Sequence, residues 1–224
     1  SAKATSDPSL KLHLGAGTYN SHEAGLAAST GLTDDTTARV SYFRRKSDGY
    51  VDNLYLNEST QNQDEQVARF KLISQLTENL NTELNFHYID INNGYDAFTL
   101  DNSRDSVADE PGQDNQKSYA VGIANTYTGF DKFDVSLNVS AIDSELLYSY
   151  DEDWVCNDIN KPQLCAAGLH PWGYSSTDIY NRDRDDQSAN LQFNDKTGNW
   201  VAGLYYQNRD VDLERQYTWL ASPF

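Results

Sequence analysis

The chain has 224 residues with a net charge of −17 and a mean hydropathy of −0.72, too acidic for the clustered Lys and Arg that phosphate binding needs, so nucleic acid is not an expected partner. No run of about 18 apolar residues exists, which excludes a transmembrane helix, while 15 Tyr, 8 Phe and 4 Trp against 5 Pro argue against disorder. Methionine is absent, even at position 1, and no signal peptide is visible, so a processed chain or a piece of a longer one is expected.

Period-two alternation recurs along the chain, the mark of strands with one apolar and one polar face. Leu12, Leu14 and Ala16 alternate with Lys11, His13 and Gly15, and YNSH turns into a strand carrying Ala24, Leu26 and Ala28. LTDD turns the chain again into Ala38, Val40 and Tyr42, opposed by Arg39 and Ser41. A long polar connection leads to a hairpin in which Phe70 and Leu72, then Leu84, Phe86 and Tyr88, face away from Arg69, Lys71, Glu83, Asn85 and His87. An acidic segment follows, then SYAVGIANTYT and FDVSLNVSAI joined across GFDK, with Val135, Leu137 and Val139 opposed to Ser136, Asn138 and Ser140. A third long segment is expected from about Tyr150 to Arg184. The last hairpin sets Ala189, Leu191 and Phe193 against Trp200, Ala202, Leu204 and Tyr206 across NDKTGN. All five prolines (Pro8, Pro111, Pro162, Pro171, Pro223) lie near a terminus or in a long loop, leaving the strands free to pair.

About nine strands result; after the first hairpin, tight turns fall at one end and the long loops at the other. A soluble sandwich need not sort its loops by length, and a lipocalin-like barrel is too small for so many strands. An outer-membrane barrel has strands of about ten residues, short periplasmic turns, long external loops, an apolar outside and a polar inside. Lipid would then cover Phe70, Leu72, Leu84 and Phe86. Trp200, Tyr127 and Phe130 by the tight turns, and Tyr88, Tyr148 and Tyr150 toward the long loops, suit interfacial girdles. The rival reading is a secreted or surface soluble β domain that binds glycan or protein through acidic, aromatic loops.

No GxSxG, HExxH or Walker sequence is present, and His13, His22, His87 and His170 are scattered, so no enzyme is expected. Asp151 and Asp153 have the makings of a glycosidase pair, although acids in loops are usually solvated. DEDWVCNDIN and NRDRDD offer carboxylates that could hold loop calcium, without EF-hand spacing; otherwise no cofactor or metal is expected. Cys156 and Cys165, nine positions apart, can close a small disulfide in an oxidising compartment. Two free thiols or a partial metal site are the alternatives, but no CxxC or nearby histidine pair supports zinc.

The strings GTYNSHEAGLAASTGLTDD, ARVSYFRRKSDGYVDN, NNGYDAFTLDNSRDSVADEPGQD and LYSYDEDW, with DGYVDN, GYDAF and YSYDEDW in that order at strand-to-loop junctions, resemble the barrel region of bacterial TonB-dependent outer-membrane receptors. The resemblance spans most of the chain. It implies an all-β, antiparallel up-and-down meander, residues 1–224 forming part of a transmembrane barrel of about 22 strands. It also implies a location in the outer membrane of a Gram-negative bacterium and uptake of an iron-siderophore complex or another scarce nutrient. The partners would be the lipid bilayer, the transported ligand, a plug domain and TonB, the plug and remaining strands lying outside this sequence. In such a receptor Tyr95, Phe98, Arg104, Tyr148, Tyr150 and Trp154 would meet the ligand from the external loops, unless their rings only pack the loops together. Arg39, Arg69 and Lys71 would line the lumen.

Overall fold

The computed structural model describes residues 4–99, 101–158, 160–165 and 174–221. In chain order its elements are β1 (Ser9–Gly17), β2 (Ser21–Thr33), β3 (Thr36–Ser47), β4 (Val51–Asn53), β5 (Glu58–Thr60), β6 (Gln63–Thr77), β7 (Leu80–Tyr95), β8 (Asp105–Ser106), β9 (Gly112–Tyr127), β10 (Phe133–Asp151), α1 (Pro162–Cys165), β11 (Tyr174–Asp195) and β12 (Val201–Ala221). Nine of the strands form one antiparallel sheet in the order β1-β2-β3-β6-β7-β9-β10-β11-β12, and β5-β4-β8 form a small separate sheet. The large sheet is a meander, each strand folding back on the one before it in the chain, as short antiparallel connections dictate. It is open rather than a closed barrel, with β1 and β12 at its edges.

Residues 34–35, 78–79, 128–132 and 196–200 make the tight turns at one end, and residues 48–62, 96–111 and 152–173 connect strands at the other. The β1–β2 turn also lies at that second end; there Tyr19 and Asn20 take φ of 59° and 51°, the paired positive values that match a tight turn to strand twist. Among the described residues register breaks only at Gly31/Thr33 and Gln75/Thr77, both beside tight turns.

Two expectations are corrected. From β6 onward the sheet strands run 15 to 22 residues, not about ten, and β11 begins at Tyr174, so the segment expected to loop as far as Arg184 ends ten residues earlier. Both have one cause. Backbone pairing continues past the apolar part of each strand, and the ladder from Asp143↔Asp185 to Asp151↔Thr177 needs no oily face to hold it. Pro8 and Pro111 each precede a strand and Pro162 opens α1; Pro171, Pro223 and His170 lie outside the described residues.

Residues paired across strands point to the same face, so the register can be read as rows. One row joins Val40, Phe70, Phe86, Val121 and Ala141, and the next toward the tight turns joins Ala38, Leu72, Leu84, Ile123, Val139, Ala189 and Tyr206. Toward the long connections come Leu12, Leu26, Tyr42, Ala68, Tyr88 and Tyr119. Beyond them the same face turns charged, with Arg44, Gln66, Asp90, Lys117, Glu145, Asp183 and Asp212 in one row. The boundary slants: on β10, β11 and β12 the tyrosine row already carries Asp143, Asp185 and Asp210.

The opposite face carries Ser29, Arg39, Lys71, Asn85, Gly122, Ser140, Ser188 and Gln207 in one row, and Ser41, Arg69, His87, Ala120, Ile142, Asp186 and Arg209 in the next. Burial runs opposite to that of a soluble sheet. On β9 the apolar Tyr119, Val121 and Ile123 are exposed while Ser118 is buried and Ala120 and Gly122 half-buried; Phe70, Val121 and Leu137 are 37%, 43% and 39% exposed. Among the described residues only Val51, Ala108, Val155 and Cys156 are buried apolar side chains, all in the long connections. The accessible surface is 14243 Å², against roughly 10,300 Å² for a compact soluble chain of this mass. A soluble sandwich would have covered the apolar face with a second sheet.

Candidate functional site

At the long-connection end, the polar face of β9, β10 and β11 widens into a groove of about 710 Å³. The parity of β10 sets its wall: Ser136, Asn138 and Ser140 point to this face, so Leu146, Tyr148 and Tyr150 do too, along with Tyr180 and Arg182 from β11. Tyr148 and Tyr150 therefore do not belong with Tyr88 at the edge of the apolar face, and that part of the girdle expectation is corrected. Two connections roof the groove. Phe98, after β7, stacks on Trp154, after β10, with centroids 4.9 Å apart and planes 9° from parallel.

The rings form one continuous cluster. Tyr95 meets Phe98 at 6.0 Å and Tyr148 at 5.1 Å, Phe98 meets Tyr150 at 6.2 Å, and Tyr148 meets Tyr180 at 6.2 Å. Five of the six residues expected to meet a ligand thus come together: Phe98, Tyr148, Tyr150 and Trp154 line the groove, and Tyr95 packs against Phe98 and Tyr148 without lining it. Arg104 does not join them: its guanidinium donates to the Tyr19 hydroxyl across another pair of connections. The groove's cation is Arg182 instead, accompanied by Asp114 and Glu152. Beside Tyr150 in the register, Asp178, 1% exposed, accepts from Tyr150 at 3.1 Å and Tyr180 at 2.9 Å and from both Nε and Nη2 of Arg215 at 2.9 and 2.7 Å. Tyr180 and Arg182 are missed while NRDRDD is read as loop; continuing the alternation of β11 upward through Arg184, Arg182 and Tyr180 would have found them.

Behind the groove the carboxylates of Asp109, Asp151 and Asp153 converge, one oxygen of each within 4.8 Å of the others. Asp151 ends β10, Asp153 lies two residues on, and Asp109 comes from the β8–β9 connection. Trp154 holds φ at 63°, unusual for a bulky side chain, and turns the chain between Asp153 and the Cys156–Cys165 disulfide, whose Cα atoms are 4.8 Å apart. Asp151 and Asp153 are 5% and 1% exposed, which corrects the view of them as solvated loop acids. Asp109 Oδ2 accepts from the Asn157 amide at 3.0 Å; its Oδ1 and all four oxygens of Asp151 and Asp153 are buried and accept no hydrogen bond. Burial, then the Asp151 carboxyl beside it and the Asp109 charge, push Asp153 well above the usual carboxylate range, and burial raises Asp109 as well. NRDRDD gathers no comparable set. It is strand, with Asp183 and Asp185 on one face and Asp186 on the other beside Arg184 and Arg209.

Next to this cluster Asp96 is buried yet fully engaged, accepting from Asn53 at 3.2 Å, Thr60 at 2.6 Å and Ser106 at 2.7 Å. It binds the small β5-β4-β8 sheet into one unit. Further down the polar face Arg39, Arg69 and Lys71 lie together, with Lys71 Nζ 2.6 Å from Glu83 Oε1. No protein-family model matches the chain, and no curated protein is significantly similar to it.

Proposed function

We propose that the chain is part of the barrel of an outer-membrane transporter of the TonB-dependent type, and that its external connections capture a nutrient complex such as an iron chelate for energised uptake. The carrying observation is the inverted sheet: its more exposed face is the apolar one. In water about 25 cal/mol is lost for each Å² of apolar surface left bare, whereas hydrocarbon is its natural solvent.

The band supports this reading in its dimensions. On β7 it runs from Leu80 to Tyr88, nine residues, or about 27 Å over the steps between them at ~3.4 Å per residue; strands tilted by about 40° would carry it through roughly 21 Å, close to the ~25 Å apolar band of such barrels. Tyr42, Tyr88 and Tyr119 end it as an interfacial girdle, and the charged row beyond them stands in water. The slant of that boundary across the rows is what inclined strands in a flat slab require. Phe130 and Phe133 stack at 4.9 Å near Trp200 at the tight-turn end, a second girdle.

On this reading Arg39, Arg69 and Lys71 face the lumen, where water or a plug domain meets them. The groove of Phe98, Tyr148, Tyr150, Trp154, Tyr180 and Arg182 opens on the lumen side of the outer rim. Its flat rings and fixed positive charge suit an aromatic or anionic chelate. The test is extraction of the whole protein from cells. It is expected in the outer-membrane fraction, to need detergent, and to run on a denaturing gel as a compact band that shifts on boiling. A detergent-free, monodisperse monomer would instead support the soluble glycan- or protein-binding domain.

A further inference from the structure

We infer that Asp109, Asp151 and Asp153 form a calcium site that ties the β8–β9 connection to the β10–β11 connection. Three carboxylates side by side repel one another, and burying them without partners is costly. Five of their six oxygens accept no hydrogen bond although Asp151 and Asp153 are almost fully buried. Asp96, close by, is the contrast: donors from Asn53, Thr60 and Ser106 already satisfy it. The unengaged oxygens therefore call for a cation, not for a further side chain.

The chemistry of the set selects calcium. All ligands are carboxylate oxygens, the preference of a hard ion, with no sulfur or imidazole to attract zinc or copper. Calcium binds six to eight oxygens at about 2.3–2.6 Å. Two oxygens on opposite sides of it are thus about 4.8 Å apart, and one oxygen from each of the three carboxylates here lies within 4.8 Å of the other two. One oxygen from each carboxylate gives three ligands, and bidentate binding by Asp151 and Asp153 would give five, leaving one to three places for water in a shell of six to eight. Magnesium, which keeps its own waters in a strict octahedron, suits a dry carboxylate cradle less well.

An ion here would also fix the groove. Trp154 directly follows Asp153 and stacks on Phe98, so holding Asp153 against Asp109 holds one wall in place. That consequence rests on the groove binding a ligand; ion binding does not.

Titrating CaCl2 into the whole protein in detergent micelles, stripped of divalent ions with EDTA, tests the site by calorimetry and by terbium luminescence excited through tryptophan. One saturable site is expected at or below millimolar calcium, weakened at least tenfold in Asp151→Asn and in Asp153→Asn and unchanged in Asp101→Asn. Trp154→Phe should cut the terbium signal and leave the calcium heat intact. Because an amide relieves the repulsion, both Asp→Asn variants should keep the β-sheet circular dichroism of the parent in EDTA, and Asp109→Asn stands in for either if it does not. Absence of saturable binding at millimolar calcium, equal binding in the Asp151 and Asp153 variants, or equal binding of MgCl2 overturns the inference. Calcium binding without ligand uptake would count against the transport reading alone; uptake without calcium binding would count against this one alone.

Discussion

Asp96 and Asp153 are both buried aspartates in neighbouring connections, and their surroundings give them opposite roles. Asp96 has donors for both oxygens, and removing it strands the hydroxyls of Thr60 and Ser106 in a buried setting. Asp96→Ala is expected to cost about 2–3 kcal/mol, the worth of hydrogen bonds to a charged group. The loss is local: hydrogen exchange at the β4 and β5 amides should accelerate while the β7 and β9 amides keep their protection, and equal acceleration throughout would contradict it. Asp153 has no donors at all, and burial raises its pKa. The sequence shows two acids in polar stretches and gives no way to tell which one finds its hydrogen bonds.

The strand is the level at which sequence and structure agree most closely. Every alternating segment forms a strand of the large sheet in the expected order, because a period of two with turn formers between has few other solutions. Face matters more than residue type on these strands. Val139 and Asn138 are adjacent and both exposed, but Val139 lies in the row with Leu84 and Ile123 whereas Asn138 lies on the side of Arg39 and Lys71. On the proposed membrane reading, Val139→Arg is expected to destabilise the folded protein by about 2–4 kcal/mol, the cost of a charge at the bilayer midplane, and to reduce the heat-modifiable fraction on gels. Asn138→Arg should leave that fraction unchanged. Equal tolerance of both would remove lipid from that face.

For the whole molecule the environment can be read without reference to transport. Leu137→Trp in vesicles of lipid brominated along its acyl chains should lose much of its fluorescence to quenching, while Asn138→Trp, on the other face, should lose little; the reverse order would turn the sheet over. The backbone edges at β1 and β12 lack a second neighbour among the described residues, and β12 is exposed along both faces over residues 201–220. Such edges pair with further strand wherever it is offered. On the proposed reading the sheet is one wall of a larger barrel.

The alternation alone determined the strands, their order, the sorting of short and long connections, and the faces of Arg39, Arg69 and Lys71, because side-chain direction in a strand follows from position along the chain. The lengths of β10 and β11, the orientation of Tyr148 and Tyr150 toward a groove, the replacement of Arg104 by Arg182 there, and the meeting of Asp109 with Asp151 and Asp153 were decided only in three dimensions. Backbone pairing extends strands through polar sequence that carries no hydrophobic signal. Residues 42 positions apart, such as Asp109 and Asp151, become neighbours only once two connections fold over the same end of the sheet.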